Sequence, residues 1–292
     1  MGIHLSTFVD IKLLFLKKLC SLYEDREILS IFYFYMEKRW GLKKASICLY
    51  PYRTLSSTEM KTLLSDIASL TEGTPVQQVC GTTDFYGLSF RVTPAVLIPR
   101  PETEELVEWI LQETESDVPV HILDIGTGSG AIAIALAHHL PLARVTAIDY
   151  SREVLYVAQQ NACANNSTNV LFQKIDITRK RLEDWKIAPV NIIVSNPPYI
   201  PWAEKEKLPL NVREHEPETA LFVPTENPLF FYEKIAAIAQ HLLAANGNIY
   251  VETHENFHTE LENMFHAHGF QHVEKRTDIN QKPRMMKIKK TN

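Results

Sequence analysis

Residues 121–133 read HILDIGTGSGAIA, a pattern typical of a strand that enters a glycine turn and then a helix. The apolar residues before Gly126 predict a buried strand, and those after Gly130 predict the first turn of a helix. Glycine lets the backbone come close to a ligand, and the start of a helix offers free N–H groups. We therefore expect a ligand at this turn.

Strand and helix patterns continue to alternate along the rest of the chain. Further strands are predicted at 144–149, 170–174, 191–195 and 248–252, and helices at 130–140, 152–165, 229–244 and 256–268. Such alternation predicts an α/β fold with a parallel sheet, right-handed crossovers and ligand sites at the carboxyl ends of the strands. The last apolar runs, 272–275 and 285–289, predict a hairpin at the edge of the sheet.

The residues before this region have a different pattern. Apolar residues recur at helical spacing from residue 5 to about residue 72, and Ser56 with Glu59 predicts a capping box. Short alternating segments between 83 and 93 predict a hairpin. The predicted organisation is thus a helical domain at 1–75, a hairpin connector at 76–100 and an α/β domain at 101–292.

Composition restricts the class of protein. The chain has 292 residues, 45% of them hydrophobic and 22% charged, with a net charge of −5. This acidic balance disfavours general binding to nucleic acid. The cysteines and histidines are scattered, so we expect no metal site. No apolar run reaches the roughly 20 residues that cross a bilayer, and we expect a cytoplasmic monomer without a membrane partner.

The glycine turn by itself leaves two cofactor classes open. Gly126, Gly128 and Ala131 fit the G-x-G-x-x-A pattern of nicotinamide and flavin enzymes, and Asp149, about 20 residues further on, suits the ribose of either cofactor class. Asp124 precedes the glycines, where its charge would repel a pyrophosphate but attract the cationic amino-acid end of S-adenosylmethionine. Asp124 therefore favours S-adenosylmethionine, although capping of strand ends is an alternative role for both acids.

The residues Asn196-Pro197-Pro198-Tyr199 follow the predicted strand at 191–195. A planar amino group is a poor nucleophile until acceptors hold its N–H bonds. The Asn196 side-chain oxygen and the Pro197 carbonyl can accept such bonds, while Pro198 disfavours a helix there. Tyr199 offers a flat wall for a planar substrate. These four residues predict alkylation of an amide or a nucleobase, unless they form only a proline-rich turn.

Several motifs together resemble those of a known family. They are Gly73-x-Pro75, Gly81, Phe85-x-Gly87, residues 97–104 (LIPRPETE), residues 124–130 (DIGTGSG), residues 196–199 (NPPY), Glu216-Pro217 and Ala220-Leu221. In this order they are similar to the HemK/PrmC family of peptide chain release factor glutamine methyltransferases, from about residue 73 onward. The segment 97–104 distinguishes this family from related glutamine methyltransferases that act on a ribosomal protein.

The resemblance implies a Rossmann-like class I methyltransferase sheet and an N-terminal helical domain that recognises the substrate. It implies methyl transfer from S-adenosylmethionine to the side-chain amide nitrogen (N5) of the glutamine in the Gly-Gly-Gln motif of bacterial class 1 release factors. The implied cofactor-binding residues are Asp124, Gly126, Thr127, Gly128, Ser129, Gly130, Asp149, Asp176, Ile177 and Asn196. The implied substrate-binding residues are Asn196, Pro197, Pro198, Tyr199, Arg100 and Glu216, of which Asn196, Pro197 and Tyr199 are catalytic.

The sequence leaves alternatives open. Asp176 can instead cap its own loop. A nucleic-acid amino methyltransferase would suit the same tetrapeptide, but the acidic balance and the lack of a basic module disfavour a stable nucleic-acid partner. A non-catalytic binding module would not need the acids and glycines, and a nicotinamide oxidoreductase would need a proton donor that we do not identify. Glu216 falls in a predicted loop at 200–226 that is long enough to close over the target.

Overall fold

The structure, a computed structural model, describes residues 7–179 and 182–290. Its helices are α1 (Phe8–Leu19), α2 (Asp25–Trp40), α3 (Lys44–Leu49), α4 (Ser57–Thr71), α5 (Val76–Cys80), α6 (Pro101–Glu113), α7 (Ala131–His139), α8 (Arg152–Ala164), α9 (Leu210–His215), α10 (Glu218–Leu221), α11 (Phe230–Leu242) and α12 (His258–Ala267). Its strands are β1 (Thr82–Phe85), β2 (Leu88–Arg91), β3 (His121–Ile125), β4 (Arg144–Asp149), β5 (Val170–Lys174), β6 (Val190–Ser195), β7 (Ile200–Pro201), β8 (Phe222–Val223), β9 (Leu243–Glu252), β10 (His272–Thr277) and β11 (Pro283–Lys289). Short 3-10 helices span Leu182–Asp184 and Trp202–Lys207.

The chain divides into two compact units. The helical unit comprises Met1–Thr82 with Pro209–His215, and the α/β unit comprises Thr83–Leu208 with Glu216–Asn292. These boundaries differ from the predicted ones at 75 and 100. Apart from Thr82, the hairpin β1–β2 lies in the α/β unit, because Phe85 and Phe90 are buried in its core.

The helical unit has an aromatic core. Phe15 of α1 contacts Phe32 and Tyr35 of α2, with ring centroids 5.4 and 5.5 Å apart. The predicted capping box at the start of α4 is confirmed, since the Ser56 side chain accepts from the Glu59 N–H and the Glu59 side chain accepts from the Ser56 N–H. α5 was not predicted, and it belongs to this unit because Val76 packs into the same core.

The α/β unit is built on a seven-stranded sheet with the order β10-β11-β9-β6-β3-β4-β5. The strands β3, β4, β5, β6 and β9 are parallel, as the alternating pattern predicts. β11 lies between β9 and β10 and is antiparallel to both, so the predicted C-terminal hairpin is confirmed. β9 begins at Leu243, five residues earlier than predicted, and a register shift interrupts its pairing with β6.

Helices cover both faces of the sheet. Consecutive residues of a strand point to opposite faces, and Ile122 and Leu123 of the central strand β3 accordingly lie in different cores. The first core takes its helical residues mainly from α6 and α7, and the second from α11 and α12. This layering leaves the carboxyl ends of the parallel strands open to a ligand.

The segment 200–226, predicted as a long loop, contains short elements. β7 pairs with β8 in parallel, and α10 directly precedes β8. α9 belongs to the helical unit, and its neighbours in sequence belong to the α/β unit. None of the described helices has both the length and the apolar composition needed to cross a membrane.

Candidate active site

A cavity of about 500 Å³ lies in the α/β unit where β3, β4 and β6 end. Gly126 follows β3, Asp149 ends β4 and Asn196 follows β6, and all three line the cavity. The structure therefore brings together the residues that the sequence places at the ends of three strands. Cavities of this size hold small-molecule ligands and cofactors.

The glycines of the turn have different roles. Gly126 and Gly128 line the cavity with φ angles of 72° and 55°, and a Cβ at either position would meet nothing within 4 Å. Gly130 has a φ of 84°, but a Cβ there would lie 2.9 Å from Ile134 Cδ1 and 3.2 Å from Ala158 Cβ. The first two glycines thus leave space for a ligand, while Gly130 lets α7 and α8 approach each other.

Asp149 shapes the cavity wall beside the turn. Its carboxylate accepts from the Gly128 N–H at 3.2 Å and from the Ser151 N–H at 3.1 Å. The side chain is buried, and this burial raises the pKa of the carboxyl above its usual range despite these N–H donors. A buried acceptor on the cavity wall suits the hydroxyl groups of a ribose.

Asp124 lies behind the glycine turn and not on the cavity wall. It is fully buried at the end region of β3, and its Oδ2 accepts from Thr127 Oγ1 at 2.6 Å. Burial raises the pKa of Asp124 to about 7, and the Thr127 hydroxyl opposes this shift. In this structure Asp124 therefore holds the turn through Thr127, a residue that does line the cavity.

Asp176 and Ile177 also line the cavity, next to the end of β5. The Asp176 Oδ1 accepts from the Thr178 N–H at 2.9 Å and from its hydroxyl at 2.6 Å. Asp176 therefore caps its own turn, as the alternative interpretation predicted, while remaining on the cavity wall.

The NPPY residues divide between the cavity and the protein interior. Asn196, Pro197 and Pro198 line the cavity, whereas Tyr199 is not on its wall. The Tyr199 hydroxyl instead donates to Glu252 Oε1 at 2.9 Å. The predicted flat wall therefore has to come from other residues.

Two aromatic residues that the sequence reasoning missed supply such a wall. Trp202 and Phe222 line the cavity and stack on each other, with ring centroids 4.6 Å apart and an interplanar angle of 22°. Phe222 belongs to β8, which pairs with the strand immediately before Trp202. The available signal is a tryptophan soon after Asn196, in the segment that is predicted to be a loop.

Arg100 and Glu216, both predicted to bind substrate, form an ion pair. Glu216 is buried and also accepts from the Ile98 N–H at 3.1 Å, while Arg100 lines the cavity. Glu216 is not on the cavity wall. The pair fixes the position of Arg100, and only Arg100 is placed to meet a ligand directly.

Asn161 of α8 is a further residue that the sequence analysis missed. Its Oδ1 accepts from the Arg91 N–H at 2.7 Å, and its Nδ2 donates to the carbonyls of Arg91 and Ser129 at 3.1 and 2.8 Å. It thereby joins the hairpin β1–β2 to the glycine turn. The signal was a polar residue on the otherwise apolar buried face of α8.

The part of the chain that the structure describes contains no evident metal-binding site. Across residues 7–179 and 182–290, no group of three or more histidine, cysteine, aspartate or glutamate side chains is placed to hold a metal ion.

Comparisons with known proteins agree with this geometry. A family model described as a methyltransferase domain matches residues 116–290. The release factor glutamine methyltransferase of Flavobacterium psychrophilum is 39% identical over 277 residues, which cover 94% of this chain and 96% of that protein. The enzyme of the same name from Bacteroides thetaiotaomicron is 39% identical over 80% of this chain and 82% of its own length.

Solved structures support the fold. A methyltransferase from Pyrococcus furiosus, only 18% identical, superposes with a TM-score of 0.52 over 81% of this chain and 100% of its own. The strand order and this likeness confirm the predicted Rossmann-like methyltransferase fold. With two relatives at 39% identity over most of its length, the chain belongs to the release factor glutamine methyltransferase family.

Proposed function

We propose that this enzyme transfers a methyl group from S-adenosylmethionine to the side-chain amide nitrogen (N5) of the glutamine in the Gly-Gly-Gln motif of bacterial class 1 release factors. The observation that carries the proposal is a single cavity lined by the glycine turn, by Asp149 and by Asn196 with Pro197. One side of this site suits a nucleoside, and the other offers acceptors for an amide.

The residues present fit S-adenosylmethionine. Gly126 and Gly128 leave open space at the turn, where the methionine end would lie, and Asp149 would accept from the ribose hydroxyls. Asp176 and Ile177 would lie beside the adenine. In its ionised form, Asp124 would attract the cationic amino group electrostatically from behind the turn. S-adenosylmethionine supplies an electrophilic methyl group on a sulfonium ion.

The residues of the enzyme have to position the substrate nitrogen that receives the methyl group. An amide nitrogen is a weak nucleophile because its lone pair is delocalised, and positive charge grows on it as the new bond forms. The Asn196 oxygen and the Pro197 carbonyl would accept the two amide N–H bonds, which orients the nitrogen and stabilises that charge. No strong base is required, since the N-alkylated amide loses its proton readily.

The surrounding residues would control which substrate enters. The stacked Trp202 and Phe222 provide the flat wall that the sequence predicts at Tyr199, and Arg100 adds a cation at the cavity. We assign recognition of the release factor to the helical unit. The expectations of a cytoplasmic monomer, without a stable nucleic-acid or membrane partner, stay predictions.

Radiolabelled S-adenosylmethionine tests the proposal. The purified enzyme is incubated with a class 1 release factor and, separately, with a variant in which the Gly-Gly-Gln glutamine is replaced by alanine. We expect label only in the glutamine form. Total RNA, DNA and ribosomal proteins serve as competing acceptors, and label in one of them with none in the release factor would contradict the proposal.

A further inference from the structure

Glu252 is a buried carboxylate at the end of β9, and the catalytic proposal above does not use it. The residue is 1% exposed, and each of its carboxylate oxygens accepts from one hydroxyl group. Thr103 Oγ1 donates to Oε2 at 2.6 Å, and Tyr199 OH donates to Oε1 at 2.9 Å. Both hydroxyl protons are therefore directed at this carboxylate.

Thr103 connects Glu252 to the cavity. The Asn196 Nδ2 donates to Thr103 Oγ1 at 3.1 Å. A threonine hydroxyl has one proton, and Thr103 gives it to Glu252, so toward Asn196 it acts only as an acceptor. The NH₂ group of Asn196 must therefore face Thr103, and its Oδ1 must face the other way.

This orientation matters for the proposed chemistry. A substrate amide brings two N–H donors, and the Asn196 oxygen can accept one of them. If the Asn196 carboxamide rotated by 180°, it would present its own NH₂ group to those donors and hold no hydrogen bond with them. The two orientations have nearly the same shape, so packing alone distinguishes them poorly.

The backbone around this chain of hydrogen bonds is fixed on both sides. Tyr232 OH donates to the Glu252 carbonyl at 2.9 Å, and Ser195 Oγ donates to the Ile125 carbonyl at 2.7 Å. The end of β9 and the residue before Asn196 are thus held independently of any ligand. A carboxylate that is fixed in this way can impose a direction on the hydroxyls that it binds.

We infer that Thr103 and Glu252 are positioning residues, which hold the Asn196 carboxamide with its oxygen directed at the substrate amide. The inference rests on the proposed function and adds to it the source of the amide orientation. Thr103 lies in α6 and Glu252 in β9, so the control of Asn196 comes from two elements far from it in sequence.

Substitution of Thr103 tests the inference. Thr103→Val keeps the shape of the side chain but removes the hydroxyl, and Thr103→Ser keeps the hydroxyl as a matched control. We expect Thr103→Val to lower kcat on a release factor about 10- to 100-fold, the scale of a misplaced reacting group, and Thr103→Ser to stay within about threefold of the wild type. Cofactor affinity, measured by calorimetry, should change little in either variant.

A structural role alone would give a different pattern. If Thr103 only filled space, Thr103→Val would keep the wild-type kcat, and that result would overturn the inference. An equal loss of kcat in Thr103→Ser and Thr103→Val would overturn it as well, because the serine hydroxyl can still bridge Asn196 and Glu252.

Nuclear magnetic resonance spectroscopy reports the orientation of the Asn196 carboxamide without the need for methyl transfer. The side-chain amide signals of Asn196 in ¹⁵N-labelled enzyme are assigned by their loss in Asn196→Ala. We expect them to shift in Thr103→Val and to remain in place in Thr103→Ser. If the Asn196 signals shift in Thr103→Val and not in Thr103→Ser, but the wild type labels no release factor, the proposed function is wrong and the inferred orientation of Asn196 is still supported. If release factor is labelled while Thr103→Val changes neither the signals nor kcat, the inference fails.

Discussion

Single side chains at the cavity separate cofactor binding from methyl transfer. Asp149 ends β4 beside the glycine turn and is bonded to Gly128, whereas Asn196 follows β6, on the other side of β3, and is bonded to Thr103. No described hydrogen bond links Asp149 and Asn196 directly. Substitutions at the two positions should therefore affect different steps.

We expect Asn196→Ala to abolish methyl transfer while cofactor affinity stays within a few fold, because the variant loses an acceptor for the substrate amide. Asp149→Ala should instead weaken cofactor binding, because it removes the ribose acceptor. Turnover on a release factor and calorimetric titration with S-adenosylmethionine measure the two effects. Near-normal turnover by Asn196→Ala would show that the amide acceptor is wrongly assigned.

Asp124 should make the stability of the cofactor-free enzyme depend on pH. Its pKa is raised from the ordinary 3.8 to about 7 by burial, so between these values the folded chain keeps a proton that the unfolded chain has lost. The free energy of unfolding should therefore fall as pH rises from about 4 to about 7, by at most about 1.4 kcal/mol per pH unit, and then level off.

Urea denaturation of the wild type and of Asp124→Asn over this pH range isolates the contribution. The variant has no carboxyl at this position. The unfolding free energy of the wild type should therefore fall relative to that of the variant as pH rises from about 4 to about 7, and the difference should stay constant above pH 7. Parallel pH profiles for the two proteins would mean that Asp124 is already ionised at low pH.

Gly128 and Gly130 form a matched pair for alanine substitution. Both have a positive φ, which costs an alanine roughly 1–2 kcal/mol. Only Gly130→Ala also places a methyl group against Ile134 and Ala158, so it should lower the free energy of unfolding further. Gly128→Ala should lose cofactor affinity with the smaller loss of stability. Equal destabilisation in denaturant titrations would contradict the packing role of Gly130.

At the scale of elements, α8 holds the hairpin and the glycine turn in place together. The buried side chain of Asn161 forms hydrogen bonds with three backbone groups, two on Arg91 and one on Ser129. The hairpin therefore does more than connect two domains. It closes the α/β unit beside the cavity, with Phe85 on the cavity wall.

Asn161→Ala should destabilise the enzyme by about 3 kcal/mol, because it leaves one buried and two part-buried backbone groups without partners. Cofactor affinity should fall too, since Ser129 belongs to the turn. Asn165→Ala, one helical turn later, is the control, because the described hydrogen bonds of the Asn165 side chain go to the Ser89 and Asn161 carbonyls at a half-exposed site. Thermal and denaturant unfolding compare the two variants, and an equal cost would remove the special role of Asn161.

At the scale of the whole molecule, the helical unit is discontinuous in sequence. The segment Pro209–His215 belongs to it, although this segment lies between parts of the α/β unit. Gln78 Nε2 donates to the His215 carbonyl at 2.9 Å, and the His215 ring nitrogen Nε2 lies 3.1 Å from the Glu72 carbonyl oxygen. A side chain of α5 and a backbone carbonyl at the end of α4 thus hold α9.

Removal of the Gln78 amide should loosen this segment selectively. We expect Gln78→Ala to speed hydrogen exchange in residues 209–215, while exchange in α1 and α2 stays unchanged, because their aromatic core is separate from this contact. Mass spectrometry of exchanged peptides measures both regions, with Gln77→Ala on the same helix as the control. Uniform acceleration across the helical unit would instead indicate global destabilisation.

Local sequence patterns by themselves determined the succession of strands and helices, the glycine turn and the residues at the strand ends. These features depend on the spacing of apolar residues and on the φ angles open to glycine and proline, both of which are properties of short segments. Because the carboxyl ends of parallel strands share one edge, Gly126, Asp149 and Asn196 were correctly expected to lie together.

Only the tertiary structure decided which side chains meet within that edge. Tyr199 turns away from the cavity to Glu252, and Trp202 stacks on Phe222 at the wall instead. Glu216 forms an ion pair with Arg100, and α9 belongs to the helical unit. The partners in these contacts come from segments that are distant in sequence, and burial requires each polar group to find whatever partner the packed chain brings near it.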